Sequence, residues 1–484
     1  MRAMFALLKR WLATLFGALL VFSTSTAWSA APPNVLVILT DDMRWDAMSC
    51  AGHPFLKTPN IDRLANEGAR FANVFVTTSL CSPSRASLLS GRYARAHRVL
   101  NNFTEYPQDL PGYPRRLEEA GYETAYIGKW HMGETNDAPR PGFDFWMSHR
   151  GQGNYFDNEF NVNGTRKQMP GYYTTVVTDA AVDWLKQPHP RPWMLVLGQK
   201  APHGGPIQPE PRFEHALDAF PILKSANYEN YHAAEGKPAW LEESLPTWHG
   251  AGGPLYGQKE YDRFVRAYLA TLLSVDESVG RIYETLRAAG QLDRTVLVFT
   301  SDNGFVLGEH GRVDKRTAYE ESLRIPLLVR YPPLARPGTL ISNMVLSLDL
   351  APSLIDLCGA KPLRDAQGIS WKPLLQGRRT AWRSAFLYEY NYEPQFPYTP
   401  NVRAVRTPEW KFIRYPHGDG SPDRFTAEMY HLADDPSEMK NLAHDPKWAR
   451  QRRALERELE KQSKAAGPDS MPVYGGIVNV LPKF

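Results

Sequence analysis

Four stretches of this chain are apolar almost without interruption, and each runs straight into a polar cluster. "NVLVILTDD" ends in Asp41 and Asp42, and "YETAYIGKWH" ends in Lys129 and His131. "WMLVLGQKAPH" ends in Lys200 and His203, and "RTVLVFTSDNG" ends in Asp302 and Asn303. A strand with one wet face alternates apolar and polar residues, so a short continuous apolar run reads as a strand buried on both faces. Between these runs lie segments with helical spacing: "TPNIDRLANEGARF", "DLPGYPRRLEEAGY", "TTVVTDAAVDWLKQ" and "RFVRAYLATLLSVDESVGRIYETLRAAGQ". Strands alternating with helices predict an α/β fold, a large and mostly parallel sheet sandwiched by helices. Ligands bind such sheets at the carboxyl ends of the strands, where all four polar clusters fall. Any one of them reads equally well as a helix cap or a turn; their convergence on one sheet edge is what suggests a site.

The pattern changes toward the C-terminus. After "QGISWKPLLQG" come short aromatic and β-branched runs joined by polar turns, "SAFLYEYNYE", "NVRAVRTPEWKFIRYP" and "EMYHLADDP", then the helical "PKWARQRRALERELEKQSKAA". This predicts a smaller antiparallel sheet covered by one helix, and places a C-terminal subdomain at residues 376–484 after a main domain at 31–375. The charged helix reads as a solvated cover rather than a coiled coil or a nucleic-acid contact.

At the other end, Arg2, Lys9 and Arg10 precede an apolar run from Trp11 to Phe22, followed by "STSTAWSAAPP". This is the pattern of a signal peptide over residues 1–30, cut between Ser29 and Ala31. Its apolar part, about 12 residues against the ~20 needed to cross a bilayer, predicts no stable membrane anchor. The expected location is therefore exported: periplasmic or secreted, or lysosomal or extracellular in a eukaryote. Lys and Arg number 56 against 52 Asp and Glu in 484 residues. So small an excess excludes a nucleic-acid binder and leaves only a mild preference for anionic ligands.

Export makes the three cysteines informative, because an odd number leaves at least one unpaired. Cys50 and Cys358 read as inert buried thiols rather than as a disulfide, Cys358 lying in the apolar "LAPSLIDLCGA". Cys81 opens a helix in "TTSLCSPSRASLLSGR". Asp41, Asp42, Asp302 and Asn303 offer hard oxygen ligands suited to Ca²⁺ or, less well, Mg²⁺, and no spacing suggests zinc. Arg85, Lys129, His131, His203 and Lys315 form a cationic set. Cations around a divalent metal describe a site for a tetrahedral anionic ester.

"CSPSRASLLSGR", Cys81 to Arg92, resembles the signature of the type I sulfatases, C-x-P-S-R followed by x-x-x-L-S/T-G-R. The resemblance extends over nearly the whole mature chain, through "NVLVILTDDMRWD", "GYETAYIGKWHMG", "APHGGP", "SDNGFVLGEHG" and "DKRTAYEESLRIPLLVRYP" in the family order. It implies an alkaline-phosphatase-like mixed sheet. It also implies that a maturation enzyme oxidises Cys81 to formylglycine, whose hydrate attacks the sulfur of the ester. It further implies Ca²⁺ ligation by Asp41, Asp42, residue 81, Asp302 and Asn303. Arg85 would hold the formylglycine hydroxyl, and Lys129 and Lys315 the sulfate oxygens. His131 would take the proton that lets the aldehyde re-form, and His203 would protonate the leaving alcohol with a pKa raised beside the anionic ester.

The stretch from Pro139 to Leu185 most resembles sulfatases acting on sulfated sugars, in particular the N-acetylglucosamine-6-sulfatase-like branch. A sulfated carbohydrate of the glycosaminoglycan or mucin type is the expected partner. Tyr155, Phe156, Phe160, Tyr172 and Tyr173 are candidate sugar-stacking groups or core. Trp45, Asn101 and Asn102 are candidate pocket-lining groups; Glu309 and His310 stay outside the catalytic set. The rival readings are a phosphonate or phosphate ester hydrolase on the same scaffold, a broad arylsulfatase, or an inactive sulfoglycan-binding protein.

Overall fold

A computed structural model describes residues 32–254 and 260–478. The signal peptide expected over residues 1–30 lies outside the described residues. The apolar runs fold as strands: β1 (Asn34–Thr40), β2 (Ala69–Phe75), β3 (Glu123–Gly128), β4 (Phe145–Ser148), β5 (Phe156–Val162), β6 (Thr165–Tyr172), β7 (Trp193–Gly198) and β8 (Thr295–Ser301). A two-residue hairpin, β9 (Val306–Leu307) with β10 (Val313–Asp314), precedes β11 (Leu327–Arg330) and β12 (Thr339–Leu346). The large sheet has ten strands in the order β12-β2-β11-β8-β1-β7-β3-β4-β5-β6. It is mixed, with parallel pairing throughout its centre from β8 to β4.

β1, β7 and β8 are buried at every position, as their unbroken apolar sequences predict. Alternation along β1 splits its side chains between two cores. Leu36 and Ile38 pack with α1 (Pro59–Glu67), Tyr173–Leu185 and Tyr261–Ala288, whereas Val35 and Val37 pack with Cys81–Ser90, Tyr113–Glu119 and Leu350–Cys358. In chain order these helices are α2 (Cys81–Ser90), α3 (Tyr113–Glu119), α4 (Tyr173–Leu185), α5 (Tyr261–Ala288) and α6 (Leu350–Cys358).

One helix prediction overran. The pattern "TPNIDRLANEGARF" reads as helical throughout, but α1 stops at Glu67 and Ala69 begins β2. Gly68 sits so close to β11 that a Cβ there would lie 2.4 Å from the Val329 oxygen. Pairing of Ala69 with Val329 and Thr339 then captures the segment for the sheet, and tertiary pairing overrides local propensity.

The central strands end level. Thr40 pairs with Ser301, and Gly198 with both Leu39 and Gly128, so the four polar clusters emerge side by side. Gly128 makes this possible: its φ is +105°, and a Cβ would lie 2.0 Å from the Gly198 oxygen. That approach lets the Lys129 amide donate to the same oxygen at 3.0 Å.

The predicted C-terminal sheet is present as β13 (Phe386–Tyr390), β14 (Val402–Arg406), β15 (Trp410–Arg414) and β16 (Glu428–His431), antiparallel in sequence order. Helix α7 (Ala449–Ala466) covers it through Leu455 and Leu459. These residues share a core with Phe75, Leu80, Trp240 and Tyr319 of the preceding part, and the chain from Pro33 onward is one compact unit. Cys50, Cys81 and Cys358 are all free thiols. No helix among the described residues is long and apolar enough to cross a membrane.

Candidate active site

Asp41 and Asp42 leave β1 and Asp302 and Asn303 leave β8, all fully buried. Cys81 is the first residue of α2, directed at the same edge: its Sγ lies 3.5 Å from Asp41 Oδ1 and 3.2 Å from Lys315 Nζ. Ligand atoms of Asp41, Asp42, Cys81 and His203 all fall within 4.8 Å of one another. The first turn of α2 is held from outside the helix, the Ser82 amide donating to Asn102 Oδ1 at 3.0 Å and the Ser82 hydroxyl to the His131 oxygen at 2.5 Å.

The cations are distributed by carboxylate. Lys129 Nζ donates to Asp41 Oδ2 and to Gln152 Oε1. Lys315 Nζ reaches both oxygens of Asp42, at 2.5 and 2.7 Å. Arg85 is one turn along α2 from Cys81; its Nε donates to Asp302 Oδ2 at 2.8 Å and its Nη1 to the Lys129 oxygen at 2.6 Å. His203 Nε2 stands 3.7 Å from Asp42 Oδ2. His131 is buried, its Nε2 3.0 Å from Glu134 Oε1, and its Nδ1 has no partner among the described residues.

The electrostatics follow from packing several charges into one dry volume. Burial alone would raise Asp41, but Lys129, His203, Arg85 and Lys315 together hold its carboxyl well below the usual range. Burial outweighs Lys315 at Asp42 and raises it. Asp302 is pushed up to about 7 by burial and by the neighbouring Asp41 charge. Burial also drives the Cys81 thiol far up, so the residue is a poor thiolate nucleophile as it stands. The raised pKa expected for His203 is absent from the free protein. Burial and then the Lys129 ammonium depress it well below the ordinary imidazole value, against the opposing pull of Asp41.

The close convergence of Asp41 and Asp42 with Cys81 and His203 fits a divalent cation, although each carboxylate also has a cationic partner. Asn303 adds a second sign of fit: its Nδ2 donates to Asp42 Oδ1 at 2.6 Å while its buried Oδ1 has no partner among the described residues. The donors are hard oxygens, the set that Ca²⁺ and Mg²⁺ prefer.

Several sequence candidates take other positions. Tyr155, Phe160, Tyr172 and Tyr173 are buried in the core beneath the β5–β6 hairpin and present no sugar-stacking face, whereas Phe156 is half-buried and packs edge-on against Tyr172. The reason is that the hairpin extends the main sheet and must cover α4 with its apolar side. Trp45 lies under the Arg324 guanidinium at 3.7 Å. Asn101 closes a turn through Phe103 and Thr104, and Asn102 serves α2. Glu309 binds Arg44 at 2.7 Å, and His310 stacks on Tyr319 away from the cluster.

Other groups escaped the sequence reading. Tyr268 of α5 donates to the Asp42 oxygen at 2.6 Å and accepts from the Arg44 amide at 3.0 Å, which pins Asp42 in its left-handed conformation, φ +67°. Gln152 and Glu134 contact Lys129 and His131. None of these three stands in a recognisable motif; only Lys200, at a strand end, carried a signal.

Residues 33–360 match the family model for sulfatases, and residues 308–465 match that for the C-terminal part of N-sulphoglucosamine sulphohydrolase. The chain is 33% identical to the N-acetylglucosamine-6-O-sulfatase of Bacteroides thetaiotaomicron, over 90% of this chain and 88% of that protein. Among solved structures, one described in complex with its substrate D-glucosamine-2-N,6-O-disulfate superposes with a TM-score of 0.79 at 32% identity, covering 90% of this chain and 98% of that one. The phosphonate monoester hydrolase of Agrobacterium radiobacter, at 23% identity and a TM-score of 0.73 over 90% of this chain and 97% of that one, shares the fold. With Cys81, the carboxylates of Asp41, Asp42 and Asp302 and the two lysines on one sheet edge, the chain belongs to the type I sulfatase family and is a sulfuric ester hydrolase.

Proposed function

We propose that this protein removes the 6-O-sulfate of N-acetylglucosamine-type sugars in glycosaminoglycan or mucin chains. The observation that carries the reading is the buried meeting of Cys81 with Asp41, Asp42 and Lys315 at the strand ends. The sugar is supported by the activity named for the B. thetaiotaomicron relative and by the glucosamine disulfate bound in the similar structure.

In this reading Cys81 is converted by a maturation enzyme to formylglycine, which supplies an oxygen nucleophile. Asp41, Asp42, residue 81, Asp302 and Asn303 hold Ca²⁺, which when bound offsets negative charge on the sulfo group and the nucleophile. Lys129 and Lys315 bind sulfo oxygens, each ammonium being fixed in place by its own carboxylate. Arg85, clamped between Asp302 and the Lys129 oxygen, orients the hydroxyl at position 81. His203 gives its proton to the departing sugar oxygen once the ester's charge has raised its pKa. His131, held through Nε2 by Glu134, keeps Nδ1 free to accept a proton. Residues 31–375 carry this site, 376–484 form the C-terminal subdomain, and the mature protein acts outside the cytoplasm.

The test compares three substrates on the converted protein, conversion being read as a loss of about 18 Da from the peptide holding Cys81. A 6-sulfated N-acetylglucosamine should exceed an aryl sulfate in kcat/KM, and both should exceed the matching phosphate monoester. An aryl preference would remove the sugar assignment, and a phosphate preference would remove the proposed ester selectivity.

A further inference from the structure

Lys200 follows β7 and is 4% exposed. Its Nζ donates to the main-chain oxygen of Gln152 at 3.3 Å and lies 5.1 Å from the centre of the Tyr155 ring. An ammonium has three N–H donors. Lys129 is ion-paired with Asp41 and Lys315 with Asp42, whereas no carboxylate among the described residues forms an ion pair with Lys200. Gln152 spans two of these cations, accepting from Lys129 on its side chain and from Lys200 on its backbone. Lys200 also shares a tight turn with His203, whose amide donates to the Lys200 oxygen at 3.0 Å.

The amine lies within the field of the site. Burial and then the Lys129 ammonium bring its pKa down to about 7, while Asp41, Asp42 and Cys81 pull the other way. A buried cation without a counter-charge is costly, and the cost falls when an anion is brought to it. The other two lysines face the metal carboxylates. Lys200 shares its turn with the histidine that serves the departing alcohol in the reading above.

We propose that Lys200 is a further catalytic residue, one that donates a hydrogen bond to the sugar oxygen as it leaves sulfur. This rests on the sulfatase reading of the site. As the bond from sulfur to the sugar oxygen breaks, the hydroxyl at position 81 forms a new sulfur–oxygen bond and passes its proton to the neighbouring Asp41 carboxylate, whose Oδ1 lies 3.5 Å from Cys81 Sγ. The electron pair of the broken bond stays on the sugar oxygen, and the proton from His203 completes the alcohol. Lys200 stabilises the charge on that oxygen before the proton has fully transferred. A donor that acts where charge develops is worth most for the leaving group that bears charge least well.

The test measures kcat/KM for converted wild type, Lys200→Met and Lys200→Arg on aryl sulfates of graded phenol acidity and on N-acetylglucosamine-6-sulfate. Lys200→Met should lose roughly 100-fold on the sugar ester, the loss shrinking to under about threefold for the most acidic phenol, with partial recovery in Lys200→Arg. Calorimetry on the Cys81→Ser protein gives a second readout: adding Lys200→Met should weaken binding of the sugar ester by less than about threefold, since the interaction belongs to the transition state. A uniform loss across the series, no loss, or an equal loss in binding would each overturn the assignment. A wild-type protein that is converted at Cys81 yet cleaves no sulfate ester overturns the sulfatase reading, and the role of Lys200 with it.

Discussion

Lys315 Nζ lies 3.2 Å from Cys81 Sγ and 2.5 Å from Asp42 Oδ1, so one ammonium touches both the proposed site of conversion and a proposed metal ligand. Burial alone would lower its pKa, but Asp42, Cys81, Asp314 and Asp41 hold it well above the ordinary value. It is therefore a fixed cation.

Replacing Lys315 by Met should remove that charge from the proposed sulfo-binding position. We expect kcat/KM to fall by about 10²–10³ on every sulfate ester, without the leaving-group dependence set out for Lys200. Leaving Asp42 buried without its partner should also cost about 3–5 kcal/mol, read by denaturant unfolding of the metal-free protein.

Asp302 separates metal loss from fold loss. In Asp302→Asn the side chain keeps its shape but gives up the charge that faces both Arg85 and the proposed cation. Turnover should fall by at least about 100-fold, and so should that of wild type after thorough chelation, with the circular dichroism spectrum unchanged. Full activity after chelation would remove the metal from the site.

Tyr268 acts on the backbone of a proposed metal ligand rather than on its carboxylate. Tyr268→Phe should free the Asp42 carbonyl and cost about 1 kcal/mol in stability. Metal affinity, measured by competition with a chelator, should drop by about tenfold as Asp42 leaves its left-handed conformation more easily.

His97 gives a pH prediction away from the site. It is buried against α2, its Nδ1 accepting from the Val99 amide and its Nε2 3.1 Å from Ser87 Oγ. Burial depresses its pKa to about 3. Since the unfolded chain protonates near 6.5, its contribution to stability is full above that pH and is lost as pH falls toward the folded value. In His97→Gln the decline of unfolding free energy with acid should be shallower by up to about 1.4 kcal/mol per pH unit between these limits. An unchanged slope would mean that His97 is not held neutral.

The sequence by itself determined the buried strands, because a run such as "NVLVILT" can satisfy its apolar side chains only with cover on both faces. It also marked the candidate chemistry at their ends, since Asp41, Asp42, Asp302 and Cys81 all lie within local motifs. Tertiary structure alone decided three other things. The "ARF" that follows α1 became a strand because β11 and β12 offered it hydrogen bonds that no local signal records. The rings of the β5–β6 hairpin went inward because that hairpin extends the sheet over α4, and the alternation of the segment is the same for either face. The network of Gln152, Glu134 and Tyr268 around the site formed from residues on separate loops and helices. Their spacing in the chain carries no information about distance until the strands are laid side by side.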